Sequence, residues 1–150
     1  MSSKDAKKAP EQMVWEAHKP TPTSEPLTLK CYCGLVEVEL PCTPNKLNEC
    51  RCSVCYSYGA LWAYYRRGDV MVTTAAEPVP GVSLQKYMRD DEEADGDLAF
   101  YRCSHCGCTT HWWGEEDSPK RSGPAAKMGV NCRMLGEKGI EGIERLITYC

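Results

Sequence analysis

The chain has 150 residues and a formal net charge of −3, which fits a single domain and offers no basic patch for a nucleic-acid backbone. Leu, Ile, Val and Phe make up only 23 of the 150 residues; that falls under the ~20% typical of disordered chains, but the charge is too low for that class. Eleven cysteines remain as the means of holding a fold, in an odd number that no disulfide scheme uses up.

Residues 1–26 are polar, carry four prolines and show little periodicity. They read as a flexible N-terminal tail, with Met13, Val14 and Trp15 as the residues able to dock. The tail holds no apolar leader segment, and no run of ~18 apolar residues would span a membrane. The expected setting is therefore the reducing cytoplasm, where cysteines are first of all metal ligands or catalytic groups.

Residues 27–150 form the expected domain. "LTLKCYCGLVEVEL" alternates apolar and polar residues on either side of Gly34, the pattern of two strands meeting at a turn. "PCTPNKLNE" reads as a loop from its prolines and Asn. After a run of three cysteines, "GALWAYYRR" and "DVMVTT" read as strands, as does "VSLQKYM". "RDDEEADGD" reads as a solvated hairpin tip. "LAFYRC" and "TTHWWG" read as strands flanking a second cysteine group, "EEDSPKRSGP" as a loop and "AAKMGVNCRML" as a strand. "GIEGIERLITY" has spacing for a short helix and composition for a strand. Many short strands without βαβ alternation give a mostly β domain.

The cysteines fall into three groups: Cys31 and Cys33; Cys50, Cys52 and Cys55; and Cys103 and Cys106. Residues two apart in extended backbone share a face, so Cys31 and Cys33 can reach one ion, and a C-x-x-C segment bends around an ion. Gly34 and Gly107 directly follow Cys33 and Cys106, and glycine permits the φ > 0 backbone of a tight knuckle. These two pairs are accordingly joined as a closed four-thiolate zinc site, the structural kind. Cys50, Cys52 and Cys55 are left as three ligands of a second zinc. Its fourth position is open to a substrate thiol, or filled by Cys42, Cys108, Cys132, His105 or His111; a metal-free redox trio is the remaining alternative. His18 belongs to the tail, and Cys150 reads as a plain thiol. Tyr64 and Tyr65 either donate a hydrogen bond at the site or pack a strand, and Asn131 either positions a substrate or closes a turn.

The segments "CYCG" (31–34), "CRCSVC" (50–55) with "GALWAYY" (59–65), "FYRCSHCG" (100–107) and "VNCRML" (130–135), in this order, resemble the glutathione-dependent formaldehyde-activating enzyme family, which includes centromere protein V. The resemblance covers roughly residues 27–149. It implies several coiled, mostly antiparallel β-sheets around two zinc sites. Cys31, Cys33, Cys103 and Cys106 would be the structural ligands, and Cys50, Cys52 and Cys55 the catalytic-type ones. It further implies a carbon–sulfur lyase acting on the adduct of a thiol such as glutathione with a small electrophile such as formaldehyde. The partner would be a small-molecule thiol, with no nucleic acid and no membrane. The family's commoner stretch after the third cysteine of the run carries Arg or Lys and then Ser-Gly, where this chain has "YSYGALWAYY". The alternative is a non-catalytic, zinc-stabilised binding or scaffold module.

Overall fold

Alternation along the chain sets which side chains each strand buries. In the computed structural model, which describes residues 6–74, 83–89, 98–115 and 123–149, the first strands are β1 (Lys7–Lys8), β2 (Leu27–Lys30), β3 (Val36–Leu40) and β4 (Lys46–Cys50). Helix α1 (Ser53–Tyr58) follows, then β5 (Trp62–Arg66), β6 (Met71–Thr74), β7 (Leu84–Met88), β8 (Leu98–Cys103) and β9 (Thr109–Gly114). The chain continues through β10 (Lys127–Asn131), a 3-10 turn (Cys132–Leu135), α2 (Gly136–Ile140) and β11 (Glu144–Thr148). An eight-stranded sheet has the order β1-β11-β4-β5-β10-β9-β8-β7, and a three-stranded sheet the order β2-β3-β6. The pairings β1–β11 and β11–β4 are parallel and the others antiparallel. The mostly β, single-domain architecture expected from the sequence is present.

The central strand β5 explains both faces of the large sheet. It reads "WAYYR" and is buried nearly throughout, as a strand covered on both sides must be. Ala63 and Tyr65 join Leu29, Val38, Leu40, Met128 and Val130 in the cluster that seals the small sheet against the large one. Trp62 and Tyr64 pack on the other side with Cys50, Cys55, Leu98 and Phe100. The alternation within β5 thus separates a packing face from a face that carries cysteines.

Several expectations are corrected. The stretch 41–49 is not all loop, because β4 occupies its second half, between β11 and β5. Its Asn48, a poor strand former in isolation, is held by Tyr64 and Thr148 side chains. Residues 6–26 do not behave as a free tail. Lys7 and Lys8 pair with Leu146 and Ile147, and the Ala9 N–H donates to the Ile147 carbonyl at 2.7 Å. Trp15 meets Tyr64 edge-on at 5.5 Å, while Val14 stays exposed. The strand through Asn131 stops there because the Asn131 side chain accepts from the Arg133 N–H and starts the 3-10 turn. The ambiguous finish resolves into both elements, α2 and then β11. The acidic stretch from residue 90, most of the 115–124 loop and Cys150 lie outside the described residues.

On the packing side of β4, Glu49 bridges two arginines. It accepts from Arg145 Nε at 2.9 Å and from Arg51 Nε at 2.8 Å, and Arg145 is 5% exposed. Burial opposes the Glu49 charge, but Arg145 and Arg51 outweigh it and hold the carboxyl below its usual range. A depressed carboxylate pKa gives stability that is present above the unfolded value and lost as pH falls through the folded one. Replacing Arg145 with Met leaves that carboxylate half-paired and should cost about 3–5 kcal/mol at pH 7. Urea unfolding of zinc-loaded wild type and variant at pH 7 checks this.

Candidate functional site

Cys31 follows β2 directly, and Cys33 sits in the turn to β3. Gly34 takes φ 81° there and donates its N–H to the Cys31 carbonyl at 2.9 Å. Cys103 ends β8, and Gly107 repeats the arrangement with φ 77° and an N–H bond to the Cys103 carbonyl at 2.9 Å. Backbone N–H groups also aim at the first sulfur of each knuckle, from Val36 to Cys31 Sγ at 3.3 Å and from His105 to Cys103 Sγ at 3.4 Å. Such donors favour thiolate over thiol.

The four sulfurs of Cys31, Cys33, Cys103 and Cys106 lie within 4.8 Å of one another. Cys33 Sγ is 3.5 Å from Cys31 Sγ and 3.7 Å from Cys103 Sγ. A disulfide would need ~2.05 Å, whereas a tetrahedron of thiolates at ~2.3 Å from zinc has edges of about 3.8 Å. The separations are those of zinc ligands. Burial opposes ionisation of Cys106, but the backbone of Cys108 and Cys33 and the thiols of Cys33 and Cys31 outweigh it and bring its pKa to about 7. One member of the set is therefore close to ionising at neutral pH.

The second group is assembled differently. Cys50 ends β4, Cys52 is the N-cap of α1 and Cys55 lies in its first turn. The Cys52 sulfur accepts from the Cys55 N–H at 3.4 Å, and Gly59 closes the helix at φ 64°. No glycine knuckle is needed because the helix itself turns Cys55 back toward Cys50. The three sulfurs lie within 4.8 Å of one another. The hydrogen bond to the Cys50 thiol, burial and the Cys50 charge together push the Cys55 thiol far up, so Cys55 ionises only around a cation. The Trp62 indole N–H is buried in the same cluster as Cys50 and Cys55 and, as a donor to the Cys55 sulfur, opposes the upward push on that thiol. An N–H facing sulfur suits a charged thiolate far better than a neutral thiol. The donor set and this indole donor both fit a thiolate-bound metal ion.

None of the proposed fourth ligands reaches the trio. Among the described residues, the group holds Cys50, Cys52 and Cys55 and no further Cys, His, Asp or Glu. Cys42 and Cys132 pack in or against the core that seals the sheets, and Cys108 packs beside the four-cysteine site. His105 is exposed. His111 is fully buried, stacked on Tyr101 at 4.7 Å and edge-on to Trp113 at 4.4 Å. Burial, with Arg67 nearby, pushes its pKa down to about 3, so its ring is a neutral packing group. Asn131 is a bracket: its Oδ1 accepts from the Leu61 N–H at 3.2 Å and its Nδ2 donates to the Thr109 carbonyl at 2.8 Å.

Cys50 opens onto a cavity of about 500 Å³, lined also by Asn48, Tyr64, Thr148 and Tyr149 and walled by Lys8, Ala9, Pro10, Glu11, Met13 and Trp15 of the N-terminal segment. Sequence reasoning missed Asn48, Thr148 and all of this wall except Met13 and Trp15, which it named as able to dock. Asn48 had a signal, since it stands two residues before Cys50 and a strand turns both the same way. Thr148 reaches the site only through the parallel pairing that sets it beside Cys50.

Fold and site together define a mostly β protein with two cysteine groups, each able to bind a metal ion. No family model matches the chain, and no curated protein matches it. A solved structure of a Rhodobacter sphaeroides protein is similar, with 24% identity and a TM-score of 0.52 over 79% of this chain and 99% of that one. At that identity the likeness concerns the fold.

Proposed function

We propose that the chain is a zinc-dependent carbon–sulfur lyase of the kind implied by the resemblance to the glutathione-dependent formaldehyde-activating enzymes, working in the cytoplasm. The observation that carries this reading is the three-sulfur group, with no fourth protein ligand among the described residues and with Cys50 facing a cavity of substrate size. Bound zinc would supply a Lewis-acid position that takes up the sulfur of a thiol as thiolate. In the forming direction the thiol's proton passes to water, the sulfur bonds to an electrophilic carbonyl carbon, the π pair moves to oxygen, and water returns a proton to that oxygen. In the lyase direction the same bond breaks, the oxygen gives up its proton, and the carbonyl and thiolate separate. Cys50, Cys52 and Cys55 hold the ion, and the N-terminal segment narrows the access of water to the cavity. None of the ten cysteines among the described residues is in a disulfide, which agrees with a reducing compartment. Among the described residues no helix is long and apolar enough to cross a membrane.

Exchange NMR on formaldehyde with glutathione, with and without catalytic amounts of the zinc-loaded protein, tests the reading. Faster interconversion of free and adduct formaldehyde is expected. Unchanged exchange with glutathione, free cysteine and mercaptoethanol, at two zinc ions per chain, would leave only the scaffold alternative.

A further inference from the structure

The lining of the cavity beside Cys50 carries two formal charges, Lys8 and Glu11. Both come from the N-terminal segment, outside the residues that carry the family resemblance. Both side chains are exposed, and among the described residues neither forms an ion pair. The sheet places Lys8. It pairs with Ile147 on β11, and the next residue of β11, Thr148, pairs with Cys50 on β4. The order β1-β11-β4 sets the backbones of Lys8 and Cys50 two strand spacings apart, about 10 Å. The Lys8 ammonium lies 5.8 Å from the centre of the Tyr149 ring, itself part of the lining. Glu11 is placed by a turn in which the Met13 N–H donates to the Pro10 carbonyl at 3.0 Å. The backbone is tied down on either side of that turn. Before it, Ala9 bonds to Ile147; after it, the His18 N–H donates to the Tyr64 carbonyl at 2.7 Å, and the Lys127 ammonium donates to the Trp15 carbonyl at 2.9 Å.

Resting on the lyase reading above, we infer that Lys8 and Glu11 select the thiol: the Lys8 ammonium takes a carboxylate of the substrate, and the Glu11 carboxylate takes its ammonium group. The favoured thiol is one built on an amino acid, which carries both charges. A cavity of about 500 Å³ holds one small molecule, and a thiol that fills it meets the Cys50 wall and the N-terminal wall together. The rest of the lining carries no formal charge. A thiol with a single charge therefore leaves one wall charge without a counter-charge, and a neutral thiol leaves both. Charges arranged to match a partner contribute selectivity more than raw affinity. Each contact is solvated and weak by itself, and salt screens it.

The test is calorimetric titration of the full-length, zinc-loaded protein, kept free of oxygen, with cysteine and with mercaptoethanol. The quantity read is the Kd for mercaptoethanol divided by the Kd for cysteine. Comparing that ratio between variant and wild type cancels the different acidities of the two thiols. Lys8→Glu and Glu11→Lys should each lower the ratio roughly fivefold in low salt, and the loss should shrink in high salt. Probes with one charge should separate the two residues. Lys8→Glu should weaken binding of mercaptopropionate relative to mercaptoethanol, and Glu11→Lys should weaken binding of cysteamine. A cysteine ratio unchanged in either variant overturns the inference and leaves the lyase reading standing. Should a reversal disturb the fold, Lys8→Met and Glu11→Gln take its place; a fall of about twofold is then expected, and an unchanged ratio again overturns the inference. A wild type that holds two zinc ions but binds none of these thiols ends both readings. No formaldehyde is present, so turnover is decided separately by the exchange measurement above.

Discussion

Cys103→Ser leaves the chain unfolded under conditions in which the zinc-loaded wild type is folded. Cys103 is fully buried at the end of β8, in a small cluster with Cys31 and Val36, and it joins the large sheet to the β2–β3 turn of the small one. Binding of a structural zinc by four thiolates is worth an apparent ~10–16 kcal/mol, against a net stability of ~5–15 kcal/mol for an ordinary domain. Here the aliphatic core is thin, so little else replaces that contribution. Loss of one ligand also strands the buried Cys31 and the half-buried Cys33 and Cys106, with the Val36 N–H still aimed at the Cys31 sulfur. Circular dichroism with metal analysis is the check. A Cys103→Ser protein that keeps the wild-type spectrum and melts within a few degrees of it would show that the four sulfurs do not hold the fold.

Cys52→Ser should do the reverse: keep the fold and abolish turnover. Cys52 is only half-buried, and its place in the backbone is the N-cap of α1. Serine is among the best N-cap residues, so its hydroxyl can take over the bond from the Cys55 N–H and preserve the helix. What is lost is the third sulfur. A Lewis-acid position worth several kcal/mol to a charged transition state corresponds to a fall of about a thousandfold or more in rate. The expected variant has one zinc per chain, a melting temperature near that of wild type and no measurable adduct exchange. A folded variant with unaltered exchange would remove Cys52 from the chemistry.

The contrast between these two cysteines shows what a linear reading can and cannot reach. Gly34 and Gly107 marked the knuckles because a left-handed backbone is a local demand that glycine meets, and that was enough to pair groups seventy residues apart. The strands β2 and β3 were legible for a local reason too, an apolar period of two, and β5, β8 and β9 as short runs rich in aromatic residues. Helix α1 was not, because "SVCYSY" has too few turns to show a period and owes its place to the cysteines it presents. β4 was hidden by the prolines just before it and by its Asn48; it is made a strand by β11 and β5 on either side. The N-terminal segment was legible only at Trp15, an apolar residue able to dock, which packs on Tyr64. Its polar composition gives no sign that Lys7 and Lys8 complete a sheet edge. Long-range partners turn such residues into structure, and that information is spread over the whole chain.

The measurement that bears most directly on the metal with an exchangeable position is a thiol titration of the cobalt(II)-substituted protein, purified without oxygen, with metal content determined on the same sample. Two cobalt ions per chain are predicted, with the sulfur-to-cobalt absorption of one responding saturably to added glutathione and that of the other unchanged. Cys150→Ser should behave identically, and Cys52→Ser should lose the responsive band alone. A single cobalt per chain, or two whose spectra ignore every thiol tried, would contradict the account.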